Sequence, residues 1–210
     1  MKRQLSFYTF TLLLIIFSGG CAGVSEEARF NVILKEGNFE LREYEPQVVV
    51  ETLVDGDFDE VGNVGFRRLF KYISGNNSAE ETISMTAPVT QEKEGVKIPM
   101  TAPVTQEKMG EKYSITFLVP SKYTIETVPK PLDENVRIRE VQGQLMAAIT
   151  YSGTWGRKRY DKHKLKLINW MKEKGYEQVG EPVYARYNPP FTPWFLRRNE
   201  VLIPVNNGDK

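Results

Sequence analysis

Glu40-Leu41-Arg42-Glu43-Tyr44 and Arg137-Ile138-Arg139-Glu140-Val141 are the two stretches on which the reading of the fold turns. An apolar run follows each: Val48-Val49-Val50 in one case, Leu145-Met146-Ala147-Ala148-Ile149 in the other. Gly56-Asp57-Phe58 and Gly153-Thr154-Trp155 come next. All of these keep one offset of 97 positions, the distance from Glu40 to Arg137. Repetition at a fixed, long offset marks a duplicated structural unit.

After each glycine triplet the hydrophobic period changes from strand-like to helix-like. In the first half Phe66, Leu69, Phe70 and Ile73 recur at a spacing of three, four and seven, which predicts one apolar helix face. Asp57 or Asp59 is a suitable cap, and Gly75 a stop. In the second half Tyr160, Leu167, Ile168 and Met171 form the stripe, Thr154 caps, and Gly175 ends the helix. Strands are expected around Ile83–Thr90, Ile98–Thr105 and Tyr113–Val119, then around Val183–Tyr187 and Glu200–Pro204. The predicted class is α+β: a pseudo-twofold pair of strand–helix–strand–strand units, forming a mostly antiparallel sheet or barrel flanked by two helices.

A second repeat is short and literal. Met-Thr-Ala-Pro-Val-Thr-Gln-Glu-Lys occurs at Met85–Lys93 and again at Met100–Lys108, with a turn signal at Glu94-Gly95 between them. The spacing predicts a hairpin of two short strands. Pro88 and Pro103 cannot donate to a ladder, so the copies are expected at a sheet margin, where a pocket rim can form.

The bulk properties narrow the function. The 210 residues carry a formal net charge of +1, with cations and anions interspersed and no basic block. That is no footprint for nucleic acid. One cysteine, Cys21, and one histidine, His163, exclude a disulfide, a Cys-rich zinc site and any multi-histidine metal centre.

The first residues read as an address. Lys2 and Arg3 precede an apolar run from Phe7 to Phe17, too short for a typical spanning helix and of the right length for a signal peptide. Ser18-Gly19-Gly20-Cys21 follows and resembles a bacterial lipobox, in which the cysteine becomes the lipidated N-terminus. Leu is usual where Ser18 stands; ordinary cleavage near Ala22-Gly23, giving a soluble exported protein, is the alternative. The reading is an export segment at 1–21, a tether at 22–29, one domain at 30–205 and a tail at 206–210. The expected location is the cell envelope, lipid-anchored. By resemblance to lipoprotein sorting, Ala22 after the cysteine points to the periplasmic side of the outer membrane where two membranes exist.

Several separated motifs occur in a characteristic order. They are Arg67-Arg68-Leu69-Phe70-Lys71-Tyr72-Ile73, the doubled Met-Thr-Ala-Pro-Val, Phe117-Leu118-Val119-Pro120-Ser121-Lys122-Tyr123, and Trp194-Phe195-Leu196-Arg197-Arg198-Asn199-Glu200-Val201. Together they resemble the SOUL haem-binding protein family, from about Phe30 to Val205. The resemblance implies a distorted two-half sheet flanked by two helices, and binding of haem or related tetrapyrroles without catalysis. In fold there is a more distant likeness to ligand-binding domains of regulators related to gyrase-inhibitory proteins.

A porphyrin is a flat apolar disc with two carboxylates on one edge, so its pocket needs apolar walls and a few cations at the mouth. Candidate wall residues are Phe66, Leu69, Phe70, Ile73, Met85 and Met100; candidate propionate partners are Arg67, Arg68 and Lys71. For each the structural alternative is helix–sheet core or solvated helix edge. His163 is a candidate iron ligand or a helix-surface histidine. The histidine ligand proposed in vertebrate relatives lies in the first half, where this chain has none, so no axial ligand carries over. Two other classes are weighed. Glu43, Glu80, Glu81 and Glu140 are candidate acid–base residues of an envelope hydrolase or sensor-like module of the regulator type. The segment Tyr187–Trp194 is a candidate partner surface if Trp194 is exposed, and a packed loop if it is buried with Phe191.

Overall fold

The computed structural model describes residues 25–78 and 95–207. In chain order these form β1 (Phe30–Glu36), β2 (Phe39–Tyr44), β3 (Gln47–Val54), α1 (Phe58–Ile73), β4 (Asn77–Ser78), β5 (Val104–Met109), β6 (Lys112–Leu118), β7 (Lys130–Pro131), β8 (Val136–Val141), β9 (Gln144–Tyr151), α2 (Arg157–Lys174), β10 (Tyr176–Gln178), β11 (Val183–Arg186) and β12 (Asn199–Asn207). A single 3-10 turn spans Trp194–Leu196.

The duplication is visible in the bounds. β8 and β9 repeat β2 and β3 at the same offset that the sequence shows. The main sheet has ten strands and runs β1-β2-β9-β12-β11-β5-β6-β3-β8, with β10 beside β12. Every pairing in it is antiparallel, and it does not close into a barrel. Leaving out β1 and β10, this order is symmetric about the β11–β5 pair. β2 pairs with β9, and β8 with β3, so each half places its first strand beside the second strand of the other. β4 and β7 form a separate small ladder.

Both helices cover this sheet. α1 packs on β3, β6 and β8, and α2 on β9, β10 and β12. Val49–Thr52 in β3 and Met146–Ile149 in β9 are buried without interruption, because both faces of these strands are covered.

Four expectations are corrected. First, the second Met-Thr-Ala-Pro-Val copy enters a ladder only at Val104, and β5 lies inside the sheet between β6 and β11. Its Thr101-Ala102 stretch is not a free margin. The Ala102 amide donates to the Glu26 carbonyl at 2.9 Å, and Glu27 bridges Ala102. The first copy, with Met85 and Pro88, lies outside the described residues, as do Glu80, Glu81 and Cys21.

Second, α1 is turned relative to the predicted stripe. Its core line is Phe58, Val61, Gly62, Gly65, Leu69, Tyr72 and Ile73. Phe70 is 48% exposed, and Tyr72 goes inward to donate its hydroxyl to the Pro129 carbonyl at 2.7 Å. The reason is Gly62 and Gly65. A side chain at Gly65 would collide with Ile115 of β6, so the helix approaches the sheet along a line of glycines that carries no hydrophobic signal.

Third, Asp57 stands at the N-cap of α1 as expected, but its side chain makes no capping hydrogen bond. Asp59 instead accepts the Arg157 amide at 2.9 Å, capping α2 from the neighbouring helix. Fourth, α2 begins after Gly156, so Thr154 is not its cap; Trp170 joins Tyr160, Leu167 and Met171 in the buried line. Ile168 is only half-buried.

Candidate functional site

The largest cavity described, about 430 Å³, lies on the flank of α1. Two smaller ones, about 200 and 90 Å³, have more polar surroundings that include Glu26, Glu45 and Glu107. Three parts of the chain build the large cavity. α1 supplies Gly62, Asn63, Phe66 and Phe70; Met100, Thr101 and Ala102 come from the stretch before β5 and Val104 from its first position; Arg186 and Tyr187–Phe191 close it, and Trp155 and the exposed Ser25 complete the lining. Phe66 and Phe70 are one helical turn apart and stack at 5.8 Å with an interplanar angle of 12°, making a flat aromatic wall.

Among the described residues that line the cavity, Arg186 is the one that carries a charge. Gly62 gives it space, since a Cβ there would come within 2.9 Å of its Nη1. Its guanidinium lies over the rings of Trp155 (5.1 Å) and Tyr184 (5.0 Å), and Nη2 reaches Gln106 Oε1 at 3.5 Å. Arg186 Nε and the hydroxyls of Tyr151 and Tyr184 are enclosed side by side, and among the described residues none of the three completes a hydrogen bond of good geometry, although they interact with one another. Burial works against the arginine's charge, and the neighbouring tyrosines and Asp59 offset this only in part. A cation with a poorly met donor beside an apolar cavity is suited to an anionic group on an otherwise apolar ligand.

The closing Arg197-Arg198-Asn199-Glu200 motif frames the cavity. Arg197 stacks on Trp155 at 4.4 Å. Asn199 accepts the Trp155 indole N–H at 2.9 Å and donates to the Gly153 carbonyl at 3.1 Å. Glu200, fully buried, takes two hydrogen bonds from Arg42 (2.8 and 3.0 Å), one from Arg198 (3.1 Å), one from the Thr150 hydroxyl (3.0 Å) and one from the Tyr187 hydroxyl (2.7 Å). Burial pushes the Glu200 carboxyl up, but Arg42, Arg198 and Tyr187 outweigh it and hold it below the usual carboxylate range. Tyr187 is pushed well up by burial and by the adjacent Glu200 charge, so it stays a neutral donor.

Of the residues singled out in the sequence, Phe66, Phe70 and Met100 meet in this cavity. Leu69 and Ile73 do not; they are 0% and 6% exposed in the α1–sheet core. Arg67 and Lys71 are exposed on α1 and do not line the cavity. Arg68 turns to Thr52 Oγ1 at 2.7 Å and to Asp133 at 3.9 Å. His163 is on α2, outside the lining, stacked on Tyr151 at 3.7 Å with Nδ1 on the Arg159 carbonyl at 2.8 Å. Glu43 and Glu140 are solvent-exposed strand residues. Phe191 and Trp194 are 86% and 57% exposed, so their segment is not a packed loop. Sequence reasoning missed Arg186 and Trp155. The only signal was an arginine at the end of an otherwise apolar short strand.

Tested against a porphyrin, the lining fits the disc and one propionate. It fits iron less well: Met100 offers a thioether, and the Tyr187 hydroxyl is already given to Glu200.

The comparisons with known proteins agree with this architecture. Heme-binding protein 2 of Homo sapiens is 31% identical over 178 residues, covering 83% of this chain and 82% of that protein. Heme-binding protein 1 of Mus musculus is 26% identical over 156 residues, covering 72% and 75%. Among solved structures, the EcmrR C-terminal domain superposes with a TM-score of 0.52 at 12% identity, over 80% of this chain and 97% of that one. A hydrolase from Listeria innocua gives 0.54 at 11% identity, over 83% and 94%. These two likenesses concern the fold alone. The family model described as SOUL heme-binding protein matches residues 25–204, so the motifs, the duplicated sheet and the relatives lead to one statement: this chain belongs to the SOUL heme-binding protein family.

Proposed function

We propose that this chain is a non-catalytic tetrapyrrole-binding module, exported and held at a membrane through Cys21. One observation carries the binding part: a 430 Å³ cavity with a stacked Phe66–Phe70 wall and a half-buried arginine whose Nε is enclosed. The volume lies within the range of about 300–1,000 Å³ usual for small-molecule sites. Phe66, Phe70, Trp155 and Met100 would hold the macrocycle, and Arg186 a propionate. The macrocycle brings its own redox and optical chemistry when bound; the protein's part is to exclude water and orient the disc. The described lining contains no carboxylate, imidazole or thiol, which supports binding over hydrolysis. The Lys2-Arg3 start, the Phe7–Phe17 run and Gly19-Gly20-Cys21 support export and lipidation.

The test is a titration of the full chain with haemin and with iron-free protoporphyrin, following the Soret band. Saturable one-to-one shifts with both are expected, weakened about tenfold in Phe66→Ala. No saturable shift in folded protein would overturn the assignment. For the anchor, membrane fractionation and the N-terminal mass of wild type and Cys21→Ser decide: a lipid adduct lost in the variant is expected.

A further inference from the structure

We propose that the Phe191–Leu196 loop is a bilayer-contacting surface, so that the cavity opens toward the lipid to which the chain is tethered. The inference rests on the Cys21 anchor of the preceding section and adds an orientation and a second contact. Phe191, Trp194, Phe195 and Leu196 are 86%, 57%, 58% and 64% exposed on one short connection. Such a cluster is unfavourable in water, and Trp, Phe and Leu are the residues that settle at a membrane interface.

The loop is held in its presenting shape. Arg197 donates from Nε to the Thr192 carbonyl at 2.8 Å and from Nη2 to the Pro190 carbonyl at 2.6 Å. The Arg198 amide donates to Asn188 Oδ1 at 2.6 Å. Pro189, Pro190 and Pro193 restrict the backbone further, so little entropy remains to be lost on docking. From Tyr187 to Asn199 there is no acidic residue; Arg198 is paired with Glu27 and Glu200, which leaves Arg197 as the charge that faces an anionic headgroup layer.

The tether joins at the same place. Ser25 and Phe191 both line the cavity and both are exposed, so they mark its rim. Cys21 is four residues upstream, a reach of at most about 14 Å when extended. A short anchor at this rim brings the aromatic loop, rather than the helices or the far edge of the sheet, against the bilayer. An apolar tetrapyrrole dissolved in lipid would then meet the cavity mouth directly.

The experiment uses the full chain, purified from membranes and reconstituted in phosphatidylethanolamine–phosphatidylglycerol vesicles with brominated acyl chains. Trp170 is buried and Trp155 half-buried, which leaves Trp194 as the exposed fluorophore. Brominated lipid is expected to quench a component of the emission that Trp194→Phe removes and that Phe195→Ser/Leu196→Ser reduces at least twofold. Equal quenching in wild type and Trp194→Phe, with Cys21 lipidated by mass, overturns the docking surface and leaves the anchor standing. Quenching of Trp194 on added vesicles without lipid on Cys21 overturns the anchor and leaves the docking surface. A dimer by light scattering that the double serine variant abolishes, with Trp194 unquenched, makes the loop a self-interface and overturns the proposal.

Discussion

The two hairpins at the centre of the sheet make an instructive pair. β5 and β6 are joined by a tight turn in which Gly110 takes a positive φ of 59°. β11 and β12 occupy the related place in the other half, yet their connection runs from Tyr187 to Arg198 and carries three prolines and four exposed apolar side chains. The tight hairpin only completes the sheet. The long one roofs the cavity beside α1. The duplication therefore supplies a scaffold, and the site arises where the two copies differ.

The buried carboxylates of the two halves sharpen the contrast. Glu200 is paired with Arg42, whose side chain is 3% exposed. Glu51 is equally buried, but its partners Arg137 and Arg139 are 53% and 35% exposed. Glu200→Ala should cost about 3–5 kcal/mol in urea unfolding, because Arg42 is left charged and buried without its partner. Glu51→Gln should cost about 1 kcal/mol, since its arginines can turn to water. Equal losses would mean that the cavity-side cluster is no more critical than its counterpart.

On α1, Leu69→Ala should lose about 2–5 kcal/mol and leave porphyrin affinity per folded molecule unchanged. Phe70→Ala should lose under about 1 kcal/mol yet weaken porphyrin binding several-fold. The reverse pattern would place the ligand on the wrong side of this helix. Within the cavity, Arg186→Leu should weaken protoporphyrin about tenfold and leave its dimethyl ester unaffected, as read by fluorescence titration. A loss shared by the ester would mean that the arginine acts through packing alone.

The smallest effect concerns His163. Burial lowers its pKa first, with Lys166 and Lys162 adding to the shift against the Arg159 carbonyl. The folded state thus favours the neutral ring. This contribution is fully present above the ordinary value of 6.5 and is lost as pH falls through the lower folded value. His163→Ala should flatten that part of the stability–pH curve and leave the Soret band in place; a Soret shift would make the histidine a ligand.

The fold was legible in the sequence because duplication and periodicity are local signals. β2, β3, β8 and β9 follow from the repeated Arg-Glu and apolar runs, and both helices from their spacing. The rotation of α1 was not legible, because Gly62 and Gly65 mark the contact line by what they lack. Phe66, Phe70 and Met100 could be singled out as apolar, while Leu69 and Ile73, equally apolar, differ from them only in the face they occupy. Arg186 was hidden for another reason. Its role comes from three segments far apart in the chain, the helix glycine, Trp155 and the end of β11, and no local pattern joins them.

The pairing of β2 with β9, and of β8 with β3, has a consequence for assembly. Neither half can finish its own sheet, since each lacks the strand that the other contributes. A half-length chain could satisfy its open edges only by trading first strands with a second copy, as swapped dimers do. Joined in one polypeptide, the same exchange makes β2 wait for residues about a hundred positions later, so the domain closes only once most of the chain is present.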